Sequence, residues 1–349
     1  MGGFTALAVV AHGAGDLRVE QREVAAPGAG QVAIDIAYGG ICGSDLHYFH
    51  DGAVGDFALR EPMVLGHEVV GRVRQAGPET PAPSVGTAVA IHPATPCGQC
   101  ATCTEGRRQV CPNARFLGSA ARFPHVQGGF ASTVLMPASQ VVELPDGLEL
   151  RTAALAEPLS VALHAVRRAG PVTGRSALVV GAGPIGCLAV AALRRAGAAH
   201  IVAVDLFDEA LAVAALVGAD ACVVAGPATE ELAESFDVVI EASGSPAGLR
   251  TAVRAARRGG TVVQLGLLPP GDVPVPGNLL VTREISLVGA FRFDTEFADA
   301  LVMLSEGPSL APVVTSVLPA ARAVDAFALA GDRRLACKVL LDLREPNRS

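Results

Sequence analysis

The sequence predicts an α/β fold in which a doubly wound parallel sheet adjoins a β-rich part. Half of the 349 residues are hydrophobic but only 4% are aromatic, a balance typical of parallel sheets that helices cover on both faces. After residue 155, apolar runs alternate with helical patterns at the spacing of βαβ units, whereas short alternating stretches separated by turns precede it. The length of the chain and this change of pattern predict two domains.

The doubly wound domain is predicted to occupy residues 156–290. It begins with an apolar helix at 161–168, just after Glu157 and Pro158. Gly197 is a predicted helix end before the second strand. The predicted strands are 177–180, 201–205, 237–241, 261–266 and 285–289.

The β-rich domain is predicted to combine residues 1–155 with 291–349. Its tail contributes a helix at 297–305 and a closing strand at 338–343, which are too little for a separate domain, so we expect them to rejoin the first part. Two strands with alternating polarity are predicted in the first part, at 31–36 and 85–91.

Charge and composition exclude several classes of protein. The formal net charge of −7 provides no basic field for a polyanion, so we expect no nucleic-acid partner. The start of the chain lacks a basic segment followed by an apolar core, and no run of about 18 apolar residues occurs later, so we expect no membrane partner and a cytoplasmic protein. Eight cysteines, with four of them between residues 97 and 111, indicate metal ligands in a reducing compartment.

A glycine motif directly after the predicted strand 177–180 indicates a dinucleotide site. Its first glycine permits a tight turn, its second lets the backbone approach a pyrophosphate, and its third lets helix pack on strand. A glycine-rich turn without a ligand is the alternative. The residues predicted to bind the cofactor here are Gly181, Gly183, Pro184, Ile185 and Gly186.

Asp205 supports the dinucleotide interpretation and predicts which cofactor binds. It ends the second strand about twenty residues further on, where an acidic side chain accepts a hydrogen bond from the ribose 2′-hydroxyl in a Rossmann site. A carboxylate there repels the 2′-phosphate of NADP, and the next residues, Leu206 and Phe207, provide no arginine to offset that repulsion. We therefore expect NAD in preference to NADP.

Two clusters of metal-type ligands precede the glycine motif. Cys42, His67 and Glu68 provide a thiolate, an imidazole and a carboxylate, which is the donor set of a catalytic zinc ion with an open position. Single residues of these types more often lie in a core. It is their combination with the other motifs that favours a metal site.

The second cluster is predicted to bind a structural zinc ion. Four thiolates leave zinc no open position, so such a site stabilises the fold and has no catalytic role. An iron–sulfur cluster is the alternative, but the spacing lacks the usual ferredoxin run. The predicted ligands are Cys97, Cys100, Cys103 and Cys111. The other cysteines with apolar neighbours are predicted to be small buried residues: Cys187, Cys222 and Cys337.

The order of these motifs along nearly the whole chain resembles the zinc-containing medium-chain dehydrogenase/reductase family. The resemblance implies a GroES-like catalytic domain with a zinc lobe beside the NAD-binding Rossmann domain, and a homodimer or homotetramer. Glu157, within Ala156-Glu157-Pro158, occupies a position where alcohol dehydrogenases usually have cysteine and the polyol branch has glutamate. The resemblance to that branch implies that Glu157 is a further ligand of the catalytic zinc, directly or through water.

Four stretches are similar to the L-idonate 5-dehydrogenases within that branch: 39–48, 116–120, 123–126 and 291–293. The resemblance implies oxidation of the C5 hydroxyl of a sugar acid, L-idonate, to 5-keto-D-gluconate. Phe293 stands where sorbitol dehydrogenases usually have tyrosine. A polyol substrate such as sorbitol or xylitol, or threonine, is the alternative within the enzyme class. A zinc-stabilised scaffold without activity is another, but a scaffold has no need of an open zinc site.

Four more residues receive predicted roles in catalysis. Ser44 and His47 are expected to relay the released proton to solvent. Asp45 is expected to accept the second N–H of His67 and orient that ligand. Arg292 is expected to bind the carboxylate or hydroxyls of the substrate with its planar fork; an ordinary interdomain ion pair is the alternative.

Overall fold

The computed structural model describes residues 3–344; residues 1–2 and 345–349 of the predicted catalytic domain lie outside that range. The strands before the dinucleotide motif are β1 Phe4–Gly13, β2 Asp16–Val24, β3 Gln31–Gly40, β4 Ala53–Val54, β5 Phe57–Ala58, β6 Met63–Val64, β7 Glu68–Ala76, β8 Ala88–Ile91, β9 Ala94–Thr95, β10 Arg115–Phe116, β11 Thr133–Pro137 and β12 Val141–Glu143. The later strands are β13 Ser176–Val180, β14 His200–Asp205, β15 Ala221–Val224, β16 Phe236–Glu241, β17 Ala256–Gln264, β18 Ser286–Gly289, β19 Val314–Pro319 and β20 Lys338–Asp342. The helices are α1 Gly43–Asp51, α2 Ala101–Thr104, α3 Leu150–Ala153, α4 Ala156–Arg168, α5 Pro184–Arg195, α6 Asp208–Leu216, α7 Pro246–Ala255, α8 Gly277–Thr282, α9 Glu296–Glu306 and α10 Ala323–Gly331.

The second half of the chain forms the predicted doubly wound sheet. Its six strands run in the order β15-β14-β13-β16-β17-β18, and every neighbouring pair is parallel. The central strand β13 is apolar and buried along most of its length because helices cover both faces of a parallel sheet. The predicted α/β fold class is confirmed.

The first half forms the β-rich part, and the C-terminal strands return to it. Its main sheet has the order β12-β8-β7-β3-β20-β19, with β11 also paired to β3. β20 pairs antiparallel with the end of β3, where Leu340 lies opposite Gly40. This pairing supports the division into 1–155 with 291–349 and 156–290, which we keep as a proposal. Within residues 3–344, no helix combines the length and apolarity that crossing a bilayer requires.

The structure corrects several predicted boundaries. The strand predicted at 85–91 begins only at Ala88, because Gly86 adopts φ 86° in a turn and Val85 is 73% exposed. β17 begins five residues before the predicted strand at 261, directly after α7. The helix predicted at 161–168 begins at Ala156, since proline is compatible with the first turn of a helix.

Candidate active site

Three potential metal ligands meet where β3, α1 and β7 approach one another. Cys42 is the N-cap of α1, and His67 and Glu68 stand at the start of β7. One ligand atom from each of these residues lies within 4.8 Å of the others. The meeting depends on Gly40, which lies opposite Glu68 in the β3–β7 pairing. A Cβ on residue 40 would lie 2.0 Å from the Glu68 carboxylate, so any other residue there would displace that carboxylate from its present position.

Asp45 holds two of the ligand-bearing segments together. Its buried carboxylate accepts hydrogen bonds from the backbone N–H of Cys42 at 2.9 Å and of Gly66 at 3.0 Å. His67 Nδ1 lies 4.0 Å from Asp45 Oδ1, which is too far for the predicted hydrogen bond, so that role of Asp45 stays a prediction. The same Nδ1 is buried and has no hydrogen-bond partner among residues 3–344. Coordination of a metal by Nδ1 itself would satisfy this nitrogen, whereas coordination by Nε2 would leave the Nδ1–H in need of the predicted acceptor, Asp45.

Glu68 has a partner that the sequence analysis missed. Lys338, the first residue of β20, places Nζ 2.7 Å from each carboxylate oxygen of Glu68 and 3.0 Å from the carbonyl oxygen of Ile41. Both charged side chains are buried. Glu68 is therefore neutralised by a cation of the protein, and its predicted role as a zinc ligand stays a prediction. The available signal was a lysine at the start of the closing strand, directly before the apolar run 339–341.

Glu157 lies in the first turn of α4 beside this cluster but outside the three-residue ligand set. Burial raises the pKa of Glu157 to about 8, and the charges of Glu68 and Cys42 act in the same direction. Burial likewise raises the pKa of Cys42 to about 11, with Glu68 contributing. Several acidic groups are thus held in a dry site with one lysine. A divalent cation favours their charged forms, so the donor set fits zinc.

The four-cysteine lobe, residues 97–111, brings its four thiols close enough together to bind one metal ion. All four sulfur atoms lie within 4.8 Å of one another. Cys111 Sγ is 3.5 Å from Cys97 Sγ and 3.7 Å from Cys100 Sγ. A hydrogen bond from Thr102 lowers the pKa of Cys100 to about 6. Four converging sulfurs fit a closed tetrahedral zinc site.

The remaining cysteines divide by burial. Cys187 is buried, as predicted, and Cys337 is half-buried. The prediction for Cys222 is wrong, because this side chain is exposed on β15. β15 lies at the edge of the parallel sheet, where an apolar residue need not be covered.

The glycine motif forms the turn between β13 and α5. Gly181 adopts φ 96°, which favours glycine. A Cβ on Gly186 would lie 1.8 Å from the Gly181 carbonyl oxygen, whereas a Cβ on Gly183 would meet nothing within 4 Å. Pro184 and Ile185 form the first turn of α5. Gly183 thus leaves open space at the helix N-terminus, where phosphate groups bind favourably.

Asp205 lies at the end of β14 and fixes this turn. Its carboxylate accepts hydrogen bonds from the backbone N–H of Ala182 at 2.6 Å and of Leu206 at 2.7 Å. The predicted contact with a ribose is not tested by these bonds. Beside the turn lies a small open cleft, which Gly183, Arg333, Arg334 and Cys337 help to line.

The two predicted relay residues differ in exposure. Ser44 is half-buried in the first turn of α1, while His47 faces solvent and places Nδ1 2.9 Å from Asp51 Oδ2. The proton relay through these two side chains stays a prediction.

Arg292 has an unusual environment for an arginine. Its guanidinium carbon lies 4.1 Å from the ring centre of Phe116 and 4.8 Å from that of Phe291. No hydrogen bond or ion pair with a residue of 3–344 satisfies it, so the alternative of an interdomain ion pair is not supported. Burial lowers the pKa of Arg292, while the nearby Glu157 opposes that shift. Its φ of 53° is left-handed, a strained conformation for a residue with a side chain.

The ring of Phe116 also connects Arg292 to the ligand cluster, because its centre lies 5.3 Å from that of His67. Phe293, by contrast, is 3% exposed and stacks on Phe297 in the core. The phenylalanine at 293 is therefore a packing residue, and Arg292 is the residue of this pair that can contact a substrate.

A Rossmann sheet, an open ligand cluster and a four-cysteine lobe together define a zinc-type nicotinamide dehydrogenase. Residues 28–146 match the alcohol dehydrogenase GroES-like domain, and residues 184–306 match the zinc-binding dehydrogenase family. The chain belongs to this family of zinc-binding dehydrogenases, as the sequence predicts.

Individual relatives agree with that placement. The chain is 40% identical over 315 residues to L-idonate 5-dehydrogenase (NAD(P)(+)) of Escherichia coli, covering 88% of this chain and 90% of that protein. It is 36% identical over 331 residues to the sorbitol dehydrogenase of Bos taurus, covering 92% of each. The crystal structure of the L-idonate 5-dehydrogenase of E. coli superposes with a TM-score of 0.92 at 37% identity, covering 97% of this chain and 99% of that one.

Proposed function

We propose that this protein oxidises a secondary hydroxyl of a sugar acid with NAD, and that its substrate is L-idonate, which becomes 5-keto-D-gluconate. The name of the E. coli relative supports this substrate. In this proposal residues 1–155 and 291–349 hold substrate and metal, and residues 156–290 hold the cofactor. The family resemblance supports a homodimer or homotetramer.

The environment of Arg292 is the main observation in favour of an acidic substrate. The half-buried guanidinium lies over the rings of Phe116 and Phe291 and makes no hydrogen bond or ion pair within residues 3–344, although the charge of Glu157 is near enough to oppose the lowering of its pKa by burial. Its planar fork matches a carboxylate in a bidentate arrangement. The strained φ also indicates a functional position, since strain persists where the surroundings enforce it. A sugar acid provides the missing anion, whereas a neutral polyol does not.

Cys42 and His67, with Glu157 or Glu68, would hold the catalytic zinc. When bound there, zinc would act as a Lewis acid and lower the pKa of the substrate hydroxyl. Asp45 keeps the segments that carry Cys42 and His67 in register through its two backbone hydrogen bonds.

The protein's other groups bind, orient and move a proton. Arg292 orients the substrate through its carboxylate, and Phe116 keeps the guanidinium beside His67. Ser44 and His47 pass the released proton toward solvent, where the His47 ring is exposed. The turn at Gly183 approaches the pyrophosphate of the cofactor, and the Asp205 carboxylate favours NAD over NADP.

The test compares L-idonate with sorbitol in Arg292→Ala, Arg292→Lys and the wild type. We expect Arg292→Ala to lower kcat/KM for L-idonate about 10- to 100-fold, the usual size of a lost charged hydrogen bond. The ratio of kcat/KM for L-idonate to that for sorbitol should fall with it, and lysine should restore part of the ratio. Arg74→Ala is the matched control, because the Arg74 guanidinium also lies over a ring, 4.2 Å from the centre of Phe4.

Three outcomes would contradict the proposal or part of it. An unchanged ratio in Arg292→Ala would show that Arg292 does not recognise the carboxylate. A wild-type preference for sorbitol would favour the second candidate, a polyol dehydrogenase, which the similarity to the bovine sorbitol dehydrogenase supports. Higher kcat/KM with NADP than with NAD would reject the cofactor part of the proposal.

A further inference from the structure

The four-cysteine lobe contacts the loop that carries Arg292. Arg108 lies in a short 3-10 turn, Arg108–Val110, just before Cys111. Its Nε donates a hydrogen bond to Asp294 Oδ1 at 2.7 Å, across 186 residues of sequence. The Asp294 side chain is only 16% exposed, whereas that of Arg108 is 47% exposed. The lobe thus holds the loop two residues beyond Arg292.

A second contact comes from the strand that leaves the lobe. β10 contains Phe116 and pairs antiparallel with β9, so the two strands close the base of the lobe. The ring of Phe116 lies directly under the Arg292 guanidinium, 4.1 Å from its carbon. The strand that leaves the lobe therefore contacts the side chain of Arg292, while the lobe itself contacts the loop that carries it.

The residue between these two contacts is also fixed. Phe293 is buried against the ring of His92, with centres 5.1 Å apart. His92 lies between β8 and β9, on the chain that enters the lobe. Arg292, Phe293 and Asp294 are consequently each held by the segment 92–116, and this is where the left-handed φ of Arg292 occurs.

We propose that the four-cysteine lobe is a specificity element as well as a folding unit, and that Arg108 and Phe116 are positioning residues for Arg292. This inference rests on the proposed function, in which Arg292 binds the carboxylate of the substrate. An arginine with a left-handed backbone conformation keeps that strained conformation only where its surroundings hold it in place. The contacts from segment 92–116 hold Arg292 in this way. Preorganising the fork reduces the entropy lost when the substrate binds.

The test measures KM and kcat for L-idonate and for sorbitol in Arg108→Ala, Arg108→Lys and Asp294→Asn. We expect Arg108→Ala to raise KM for L-idonate about two- to fivefold, the range measured for partly exposed ion pairs, with a smaller change in kcat. Arg108→Lys should restore part of the affinity. Arg107→Ala is the matched control, because Arg107 pairs with Glu105 inside the lobe at 2.6 Å. Thermal unfolding shows whether each variant keeps its fold.

Combining variants separates the two proposals. If the lobe acts through Arg292, Arg108→Ala should change KM little further in an Arg292→Ala background, and calorimetric binding of L-idonate to the NAD complex should show the same pattern. Equal effects on both substrates, or effects that add to those of Arg292→Ala, would overturn the positioning role. An Arg292→Ala variant with unchanged preference would instead overturn the proposed function.

Discussion

Lys338 shows at the scale of a single residue how the site balances its charge. The chain separates Lys338 from Glu68 by 270 residues, yet the ammonium group contacts both carboxylate oxygens at 2.7 Å. Burying either charge alone is costly, and their attraction offsets that cost only while both are present. The pair balances the charge of Glu68, while the raised pKa values of the neighbouring Cys42 and Glu157 disfavour further negative charge beside it.

Lys338→Met should therefore destabilise the fold. We expect the free energy of unfolding to fall by about 3–5 kcal/mol, the usual cost of leaving one buried charge without its partner. Urea unfolding of the purified protein measures this change. In the double variant Glu68→Gln with Lys338→Met the loss should be smaller, because no uncompensated carboxylate remains. A loss below about 1 kcal/mol in the single variant would show that water reaches the pair.

Charged residues of this kind mark the limit of prediction from one sequence. Cys42, His67 and the four lobe cysteines can be proposed because each type of side chain has a characteristic chemistry and spacing. Lys338 and Arg108 have no such signature, and their partners lie 270 and 186 residues away. Only the pairing of β20 with β3 brings Lys338 to the ligand cluster.

At the scale of elements, burial determines which strands are predictable. The strands at the centre of the parallel sheet are continuous apolar runs, and β13, β14 and β16 begin within one residue of prediction. β15 was missed because it is a four-residue edge strand whose side chains are mostly exposed. β19 and α10 were not predicted either: β19 is a six-residue strand with mostly half-buried or exposed side chains, and α10 is a short helix of nine residues.

The turn between β13 and α5 permits a matched pair of substitutions. Gly186→Ala places a Cβ 1.8 Å from the Gly181 carbonyl oxygen, so helix and strand must move apart. We expect both a lower melting temperature and lost binding of NADH. Gly183→Ala meets no protein atom within 4 Å, so its melting temperature should stay at that of the wild type while its methyl group obstructs the pyrophosphate.

Thermal unfolding and NADH titration of the two variants distinguish folding from ligand contact. If Gly183→Ala bound NADH as tightly as the wild type, the cofactor phosphates would not approach this turn. A normal melting temperature in Gly186→Ala would mean that the strand and helix separate without cost.

At the scale of the whole molecule, one short segment lies between the two functional regions. Residues 333–337 line the cleft beside Gly183 and Pro184, and the next residue, Lys338, contacts Glu68 in the ligand cluster. The segment precedes β20, which belongs to the β-rich sheet. Cofactor binding at the glycine turn should therefore cover residues 333–337. The sequence alone does not predict that these residues lie beside the turn, because α10 and the register of β20 determine their position.

The reactivity of the Cys337 thiol shows whether NAD covers residues 333–337, and its measurement does not depend on enzyme activity. Its half-buried thiol lines the cleft, and the neighbouring Cys187 lowers the pKa of Cys337, which favours the reactive thiolate. We expect NAD to slow alkylation of Cys337 by iodoacetamide several-fold, as followed by peptide mass spectrometry. Cys222 is the internal control, because it is exposed on the edge strand β15 and does not line the cleft. Equal labelling of Cys337 with and without saturating NAD would place the cofactor away from this cleft, whereas selective protection would support binding between the glycine turn and the strand that carries Lys338.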